Sequence, residues 1–125
     1  MTESSQSTKL ISYSRKLDGL IVRVIGRRKN IERDMRSLQA KGLSYANTHW
    51  RDGKYLYLLY PSKVGEPRRR EYVGADPKRV TEAKAAIERA EAYDALAQQL
   101  QQIDRAIVVA SNAIGEAVNA LEQRW

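Results

Sequence analysis

Apolar residues recur along the first third of the chain with the seven-residue spacing of a coiled-coil helix. Ile21 and Met35 occupy alternate heptad positions, and Gly42 follows the pattern, as glycine often does at the left-handed end of a helix. The spacing predicts a helix over residues 8–41, preceded by a polar, disordered segment at residues 1–7. The apolar stripe consists of Leu10, Leu17, Val24, Ile31 and Leu38.

One segment of this helix also fits a second interpretation. Residues 20–25 are rich in β-branched side chains and lie between Gly19 and Gly26, a composition that occurs in strands. Each glycine costs a helix interior about 1 kcal/mol relative to alanine. In this alternative, Asn30 caps a shorter helix that begins at Ile31. The uninterrupted heptad favours the long helix.

The helical period is lost in residues 43–74, where short segments rich in aromatic and aliphatic residues are typical of strands. The pair Asp52-Gly53 is a two-residue hairpin signal. It separates a candidate first strand within residues 43–50 from a tyrosine-rich segment at residues 54–60. A triple arginine, Arg68–Arg70, begins the return strand. The pattern predicts a small antiparallel sheet of two or three strands.

The last third of the chain opens with a clear helix start, because Asp76 can cap a helix whose first position is Pro77. Apolar residues again step by seven, which predicts a helix over residues 77–123. If the two helices pair antiparallel, the end of the longer second helix extends beyond the first. Its apolar residues then favour self-association as a dimer. The expected contact residues are Ile107, Ala110, Ile114, Ala117 and Leu121.

Arg28 falls on the apolar stripe of the first helix, where a charged residue is unusual. A charge withdrawn from water needs a partner, and a polar residue on the stripe can fix the register of two helices. We therefore expect Arg28 to pair with an acidic residue of the last helix, such as Glu91 or Asp94, in preference to contacting phosphate.

The charge of this chain is unevenly distributed. The 125 residues fit a single domain over residues 1–125 and carry a net charge of +7. Residues 1–75 hold 16 Lys and Arg against 7 Asp and Glu, whereas residues 76–125 hold 6 against 8. Such a split indicates one basic surface, as expected for a protein that binds a polyanion.

Basic residues cluster on the predicted hairpin, beside tyrosines, and on the first helix. Arginine and lysine are suitable donors to phosphate, and a small sheet can enter the major groove of DNA. The tyrosines could instead stack on unpaired bases, and a face of this kind can also serve solubility and packing alone. Duplex DNA is favoured over single strands, and DNA over RNA. The candidate nucleic-acid-binding residues are Arg68, Arg69, Arg70, Tyr55, Tyr57, Lys54, Arg27 and Lys29.

Residues suited to catalysis are scarce in this sequence. It contains no cysteine and no glycine-rich phosphate loop, and its single histidine, His49, is a residue type that more often packs or hydrogen-bonds at a strand end. We therefore expect no enzymatic activity, no cofactor and no metal site. The N-terminus lacks a signal-peptide pattern, and no apolar run is long enough to cross a membrane. A cytoplasmic protein is expected, which also suits the absence of cysteine.

The order of motifs from Lys54 to Leu96 resembles that of small bacterial and mobile-element proteins of uncharacterised function. It consists of Gly53-Lys54-Tyr55-Leu56-Tyr57, a turn, Arg69-Arg70-Glu71-Tyr72-Val73-Gly74, a capped start and a long helix. This strand–strand–helix order also resembles the arm-site DNA-binding domain of phage tyrosine integrases, a three-stranded sheet laid on a helix. The resemblance implies that Tyr55, Tyr57, Arg68 and Arg70 face DNA. It does not extend to the core-binding and catalytic domains of integrases, so it implies no recombinase activity.

The sequence thus predicts an α+β, mostly α protein. Two long helices form an antiparallel coiled-coil hairpin, joined by a small antiparallel sheet of two or three strands. We expect the protein to bind nucleic acid as a homodimer through its basic hairpin. Two alternatives stay open. One is a phage- or plasmid-encoded inhibitor that docks its arginines on a nucleic-acid enzyme, and the other is a coiled-coil scaffold.

Overall fold

The structure, a computed structural model, describes residues 2–62 and 64–124 and contains two long helices and three short strands. The fold is of the predicted α+β, mostly α class, with a small antiparallel sheet between the helices in chain order. The residues form two compact units: a sheet unit, Asp34–Ala97, and a helical unit, residues 2–33 and 98–124. The elements are α1 (Thr2–Lys41), β1 (Asn47–Arg51), β2 (Tyr55–Leu59), β3 (Arg70–Gly74) and α2 (Pro77–Leu121).

Helix α1 begins at Thr2, six residues earlier than predicted, so the segment expected to be disordered is helical except for Met1, which lies outside the described residues. Each residue added to an existing helix gains a backbone hydrogen bond, which extends the helix beyond its apolar stripe. The helix also runs through residues 20–25, so the strand alternative is wrong. It ends as expected at Gly42, whose φ is 100° and whose N–H donates to the Gln39 carbonyl at 3.1 Å.

The three strands are antiparallel and lie in the order β1-β2-β3. The predicted turn joins β1 to β2, with φ of 53° at Asp52 and 67° at Gly53. Two consecutive positive φ values identify a type I′ turn, whose twist matches that of the strands it connects. The Lys54 N–H closes this turn by donating to the Arg51 carbonyl at 3.1 Å. The first strand is shorter and later than residues 43–50.

One face of the sheet, here called the inner face, is covered by the first turns of α2. Leu56 is completely buried at its centre, and Leu58, Val73 and Ala46 complete the buried cluster. Asp76 caps the helix as predicted, accepting a hydrogen bond from the Lys78 N–H at 3.3 Å. The helix contributes Val80, Ala83 and Ile87 to this core.

Arg89 connects α2 to the end of α1. Its Nε donates to the Gly42 carbonyl at 2.7 Å, and its Nη2 donates to the Lys41 carbonyl at 3.1 Å and to the Glu82 carboxylate at 2.8 Å. The last carbonyls of a helix have no partner within it, so a guanidinium there supplies the missing donors and also complements the helix dipole. Nearby, the Tyr45 hydroxyl donates to Asp94 at 3.0 Å, and this hydrogen bond, more than burial, raises the pKa of Tyr45.

In the helical unit, α1 and α2 run antiparallel, and Arg28 pairs with the opposite helix as expected. Its partner, however, is Asp104, with Nε and Oδ1 2.6 Å apart, and not Glu91 or Asp94. The prediction of the partner was wrong because the first turns of α2 are occupied by the sheet, so the acid that meets Arg28 lies further along the chain. Arg28 also contacts Glu32 one turn away on its own helix.

The expected overhang of the second helix is wrong for the same reason. Ile107, Ala110 and Ile114 line a groove with the α1 segment from Leu17 to Ile25, so they face the other helix of their own unit. Helix α1 begins earlier than predicted, and α2 pairs with α1 only beyond the turns that cover the sheet. Together these two differences remove the length by which α2 was expected to extend beyond α1. Ala117 and Leu121 are exposed.

Candidate nucleic-acid interface

The outer face of the sheet, opposite the covered inner face, gathers aromatic and basic side chains from all three strands. Residues directly opposite in an antiparallel pair share a face. The register sets Arg51 opposite Tyr55, His49 opposite Tyr57, and Tyr57 opposite Tyr72. Arg70 lies opposite Leu59 at the other end of β2. All of these side chains are exposed except Tyr57 and Leu59, which are partly buried.

Tyr57 lies at the centre of this face and contacts residues of β3. Its ring centroid is 5.0 Å from that of Tyr72, with the ring planes tilted by 55°, and the Arg70 guanidinium carbon lies 5.1 Å from the Tyr57 centroid. A β-bulge between Leu56 and Tyr57 produces the pairing of Tyr57 with Tyr72. The cation–π contact orients Arg70 without neutralising its charge. Among the described residues, Arg70 has no carboxylate partner.

A shallow cavity of about 310 Å³ opens on the outer face between these rings and the β1–β2 turn. Its only carboxylate is that of Asp52, which lies 4.0 Å from the Arg51 guanidinium, and both side chains are largely exposed. A pair this long and this exposed holds the arginine weakly, so Arg51 stays available to an anionic ligand. The cavity is lined by Arg51, Asp52, Tyr55, Tyr57 and Tyr72.

The triple arginine does not act as one cluster in the structure. Arg70 reaches Tyr57 on the outer face, whereas the Arg69 guanidinium carbon lies 4.4 Å from the ring centroid of Tyr60, which packs against the core of the inner face. The Tyr60 hydroxyl donates to Glu71 at 2.7 Å, and this hydrogen bond, with a smaller contribution from burial, raises the pKa of Tyr60. Arg68 is exposed in the segment before β3.

The remaining predicted residues are placed as follows. Lys54 is exposed and immediately precedes β2, next to Tyr55. Arg27 and Lys29 belong to the helical unit, where the Arg27 Nη2 lies 3.4 Å from the Gln99 Oε1 and Lys29 is exposed. The structure therefore brings together Tyr55, Tyr57 and Arg70 of the predicted set on one surface of the sheet unit.

Arg51 and Tyr72 join this surface although the sequence did not single them out as ligand contacts. Part of the signal for Arg51 was present, because the turn at Asp52-Gly53 places Arg51 at the end of β1 beside the start of β2. Its pairing with Tyr55 was not predictable, because a strict two-residue turn would pair Arg51 with Lys54. Tyr72 was harder to assign. The long segment between β2 and β3 does not fix the register of these strands, as a short turn would. In addition, the bulge shifts that register by one residue.

Groups of acidic and histidine side chains that could hold a metal ion do not occur in the described part of the chain. Within the same residues, no helix is both long enough and apolar enough to cross a membrane. Neither protein-family models, nor curated proteins, nor solved structures give a significant match to this chain. The fold and the site define an α+β protein with two long helices and an exposed aromatic and basic sheet face.

Proposed function

We propose that this protein is a non-enzymatic, cytoplasmic nucleic-acid-binding protein that contacts duplex DNA through the outer face of its sheet and acts as a homodimer. The observation that carries the proposal is the group formed by Tyr57, Tyr72 and Arg70, with Arg51 on the same face. An origin in a mobile genetic element stays a prediction from the resemblance of the motifs.

The contrast between the two faces of the sheet supports a ligand at the outer one. Leu56 and Leu58 on the inner face are covered by α2, which is sufficient to hold the sheet in place. The outer face is left uncovered, yet it carries three tyrosines and two arginines with one nearby carboxylate. Tyrosine combines a large apolar ring with a polar tip, and arginine binds phosphate or guanine through two hydrogen bonds. A polyanion with planar bases satisfies both residue types.

The spacing of the two arginines favours a duplex. Arg51 is paired with Tyr55 and Arg70 with Leu59, so they mark the two ends of β2. Four residues of strand rise about 13 Å, and β1 and β3 are separated across the sheet by two strand spacings of about 4.8 Å each, so the backbones of Arg51 and Arg70 lie roughly 16 Å apart. The major groove of B-DNA is roughly 12 Å wide and admits a small sheet. Arginines at the two ends of the strand can therefore reach the phosphates on either side of the groove while the tyrosines lie over its floor.

The test is fluorescence anisotropy with a labelled 20-base-pair duplex and the corresponding single strand, at 50 and 200 mM salt. We expect tighter binding to the duplex and a loss of affinity as salt rises, because released counterions drive the association. The double variant Arg51→Gln/Arg70→Gln should bind at least tenfold more weakly. The charge-matched comparison is between the single variants Arg70→Gln, on the outer face, and Arg69→Gln, on the Tyr60 side, because each removes one positive charge.

Equal binding by the double variant and the wild type would overturn the assignment of the outer face. Tighter binding to the single strand would contradict the duplex proposal and would indicate base stacking on the tyrosines. Absence of binding to either DNA at 50 mM salt would contradict the proposed nucleic-acid-binding function as a whole.

A second candidate partner is an acidic protein surface, since exposed tyrosine and arginine are also the residues that dominate protein interfaces. The candidate is an interaction protein that docks the same outer face on a nucleic-acid enzyme. Capture from a lysate treated with nuclease separates the two candidates, because a direct DNA-binding protein loses its bound material after this treatment. A protein partner retained by the wild type and lost by Arg51→Gln/Arg70→Gln would favour the second candidate.

A further inference from the structure

The helical unit exposes more apolar side chains than its own two helices cover. Among the described residues of this unit, Ile31 is the one large apolar side chain that is buried, at 5% exposure. Twelve others are at least 37% exposed, and four of these on α1 line one groove: Leu17, Leu20, Ile21 and Ile25, at 37–46% exposure. Monomeric proteins seldom expose contiguous apolar patches of more than a few hundred Å². The helical unit therefore exposes enough apolar side chains to form a larger hydrophobic core together with a partner.

An apolar groove of about 320 Å³ lies between the two helices of this unit. Leucine, isoleucine and valine side chains between Leu17 and Ile25 form its α1 side, and its α2 side extends from Ala106 to Ile114. Ser111 is the only polar residue among the ten that line it. A groove with a single polar side chain offers a small polar ligand little to bind, whereas an apolar helix face fits it well.

The two sides of the groove differ in the size of their side chains. The five lining residues of α1 are all leucine, isoleucine or valine, whereas the α2 side has two isoleucines, Ile107 and Ile114, among smaller residues. The smaller residues are Ala106, Ala110 and Ser111. A twofold rotation can set the α1 side of one copy, with its larger side chains, over the α2 side of the other copy. The same symmetry then places α2 of the first copy against α1 of the second. This difference in side-chain size favours a contact of α1 with α2 of a second copy over a contact of α1 with α1.

The distribution of charge between the two helices also favours packing of α1 against α2 of a second copy. In the helical unit, the α1 segment at residues 2–33 holds eight Lys and Arg against three Asp and Glu, whereas the α2 segment at residues 98–124 holds two against three. Placing α1 against α1 of a second copy would oppose two strongly basic helices. Placing α1 against α2 of the other copy avoids this repulsion, which is the arrangement that the side-chain sizes also favour.

The available area is close to what a stable dimer requires. Residues 100–121 of α2 span about 32 Å, and two adjacent helices are about 20 Å wide. Such a face offers on the order of 600 Å² in projection, comparable with the roughly 800 Å² that each partner buries in a standard interface.

We infer that a second copy of this chain covers the groove, forming a four-helix bundle in which α1 of each copy packs against α2 of the other. The proposed function includes a homodimer, and this inference locates the interface of that dimer. It rests on the proposed function only for the role of the dimer, and not for its formation. The interface includes α1 as well as α2, and Ile21, Ile25, Ile107, Ala110 and Ile114 lie at its centre.

The test is light scattering of the full chain, without nucleic acid, at about 100 μM. We expect twice the 14.2 kDa mass of one chain. Ile21→Glu, in the groove, should halve that mass, whereas the matched control Val22→Glu, on the neighbouring residue that does not line the groove, should leave it unchanged. Circular dichroism of both variants shows whether their helices are retained.

A second measurement keeps the inference testable if Ile21→Glu fails to fold. The thermal midpoint of the wild type should rise with protein concentration, because dimerisation stabilises the folded state by mass action. A wild-type mass of 14.2 kDa with a midpoint independent of concentration would overturn the inference, and so would an Ile21→Glu protein that folds and stays dimeric. DNA binding is measured separately, so a monomer that still binds DNA would contradict the interface and not the nucleic-acid function.

Discussion

Arg28 on α1 and Asp104 on α2 form an ion pair on the apolar stripe of the helical unit, with Nε and Oδ1 2.6 Å apart. Both side chains are partly exposed, so the pair is reached by solvent and is screened by it. Its main effect is on register, because sliding the helices by one turn would separate Asp104 from Arg28 and leave Arg28 with only Glu32 of its own helix. The contact therefore specifies which part of α2 lies against Arg28.

The hydrogen bond from Arg28, followed by the charge of its guanidinium, lowers the pKa of Asp104 below its usual 3.8, although burial opposes the shift. A lowered pKa means that the ionised form stabilises the fold above the unfolded pKa, and that this stabilisation is lost as pH falls through the lower folded value. We expect Asp104→Asn to lower stability at pH 7 and to reduce the loss of stability between pH 7 and pH 3. Urea denaturation at the two pH values measures this.

The control for that experiment is Asp18→Asn, which removes an exposed carboxylate from α1. It should leave the dependence on pH close to that of the wild type. An Asp104→Asn protein with the full wild-type loss between pH 7 and pH 3 would show that the ion pair does not contribute to acid unfolding.

Glycines in the middle of α1 and at its end should respond oppositely to alanine. At Gly26 a Cβ would meet no atom within 4 Å, and the backbone is helical, so Gly26→Ala should stabilise the protein by about 1 kcal/mol. At Gly42, φ is 100°, and an alanine there should cost about 1 kcal/mol or more although space is available. Urea denaturation followed by circular dichroism compares the two. Destabilisation by Gly26→Ala would contradict a continuous helix through this segment.

The inner face of the sheet should be far more sensitive to truncation than the outer face. Leu56 is completely buried, and Leu56→Ala should cost about 2–5 kcal/mol through lost burial and the cavity left behind. Leu59 is only partly buried and lies on the outer face, so Leu59→Ala should cost less than about 1.5 kcal/mol. Chemical denaturation of the two variants gives the comparison. Equal losses would mean that the outer face is also covered.

Two adjacent arginines should differ in the salt dependence of DNA binding. Arg70→Gln removes a cation from the outer face and should reduce the slope of log affinity against log salt by about 1. Arg69→Gln should leave the slope nearly unchanged, because that guanidinium lies over Tyr60 on the other side of the sheet. Anisotropy titrations at four salt concentrations provide the slopes. A larger effect of Arg69→Gln would move the candidate interface to the inner side.

Local features of this protein were determined by the sequence alone. Gly42 ends α1, Asp76 caps α2, and Asp52-Gly53 forms the hairpin turn, each as predicted. These outcomes follow from the backbone preferences of a few neighbouring residues. The alternation of Tyr55, Leu56 and Tyr57 between two faces is equally local, since it depends only on the extended backbone.

Only the tertiary structure decided which residues meet across long distances in sequence. It paired Arg28 with Asp104, set Tyr57 beside Tyr72, and directed Arg69 and Arg70 to different tyrosines. These contacts depend on how many turns of α2 the sheet occupies and on a one-residue bulge, and neither is encoded in a short stretch of chain. Packing of the sheet against α2 constrains both, because a slip of one residue would turn Leu56 and Leu58 away from the helix that buries them.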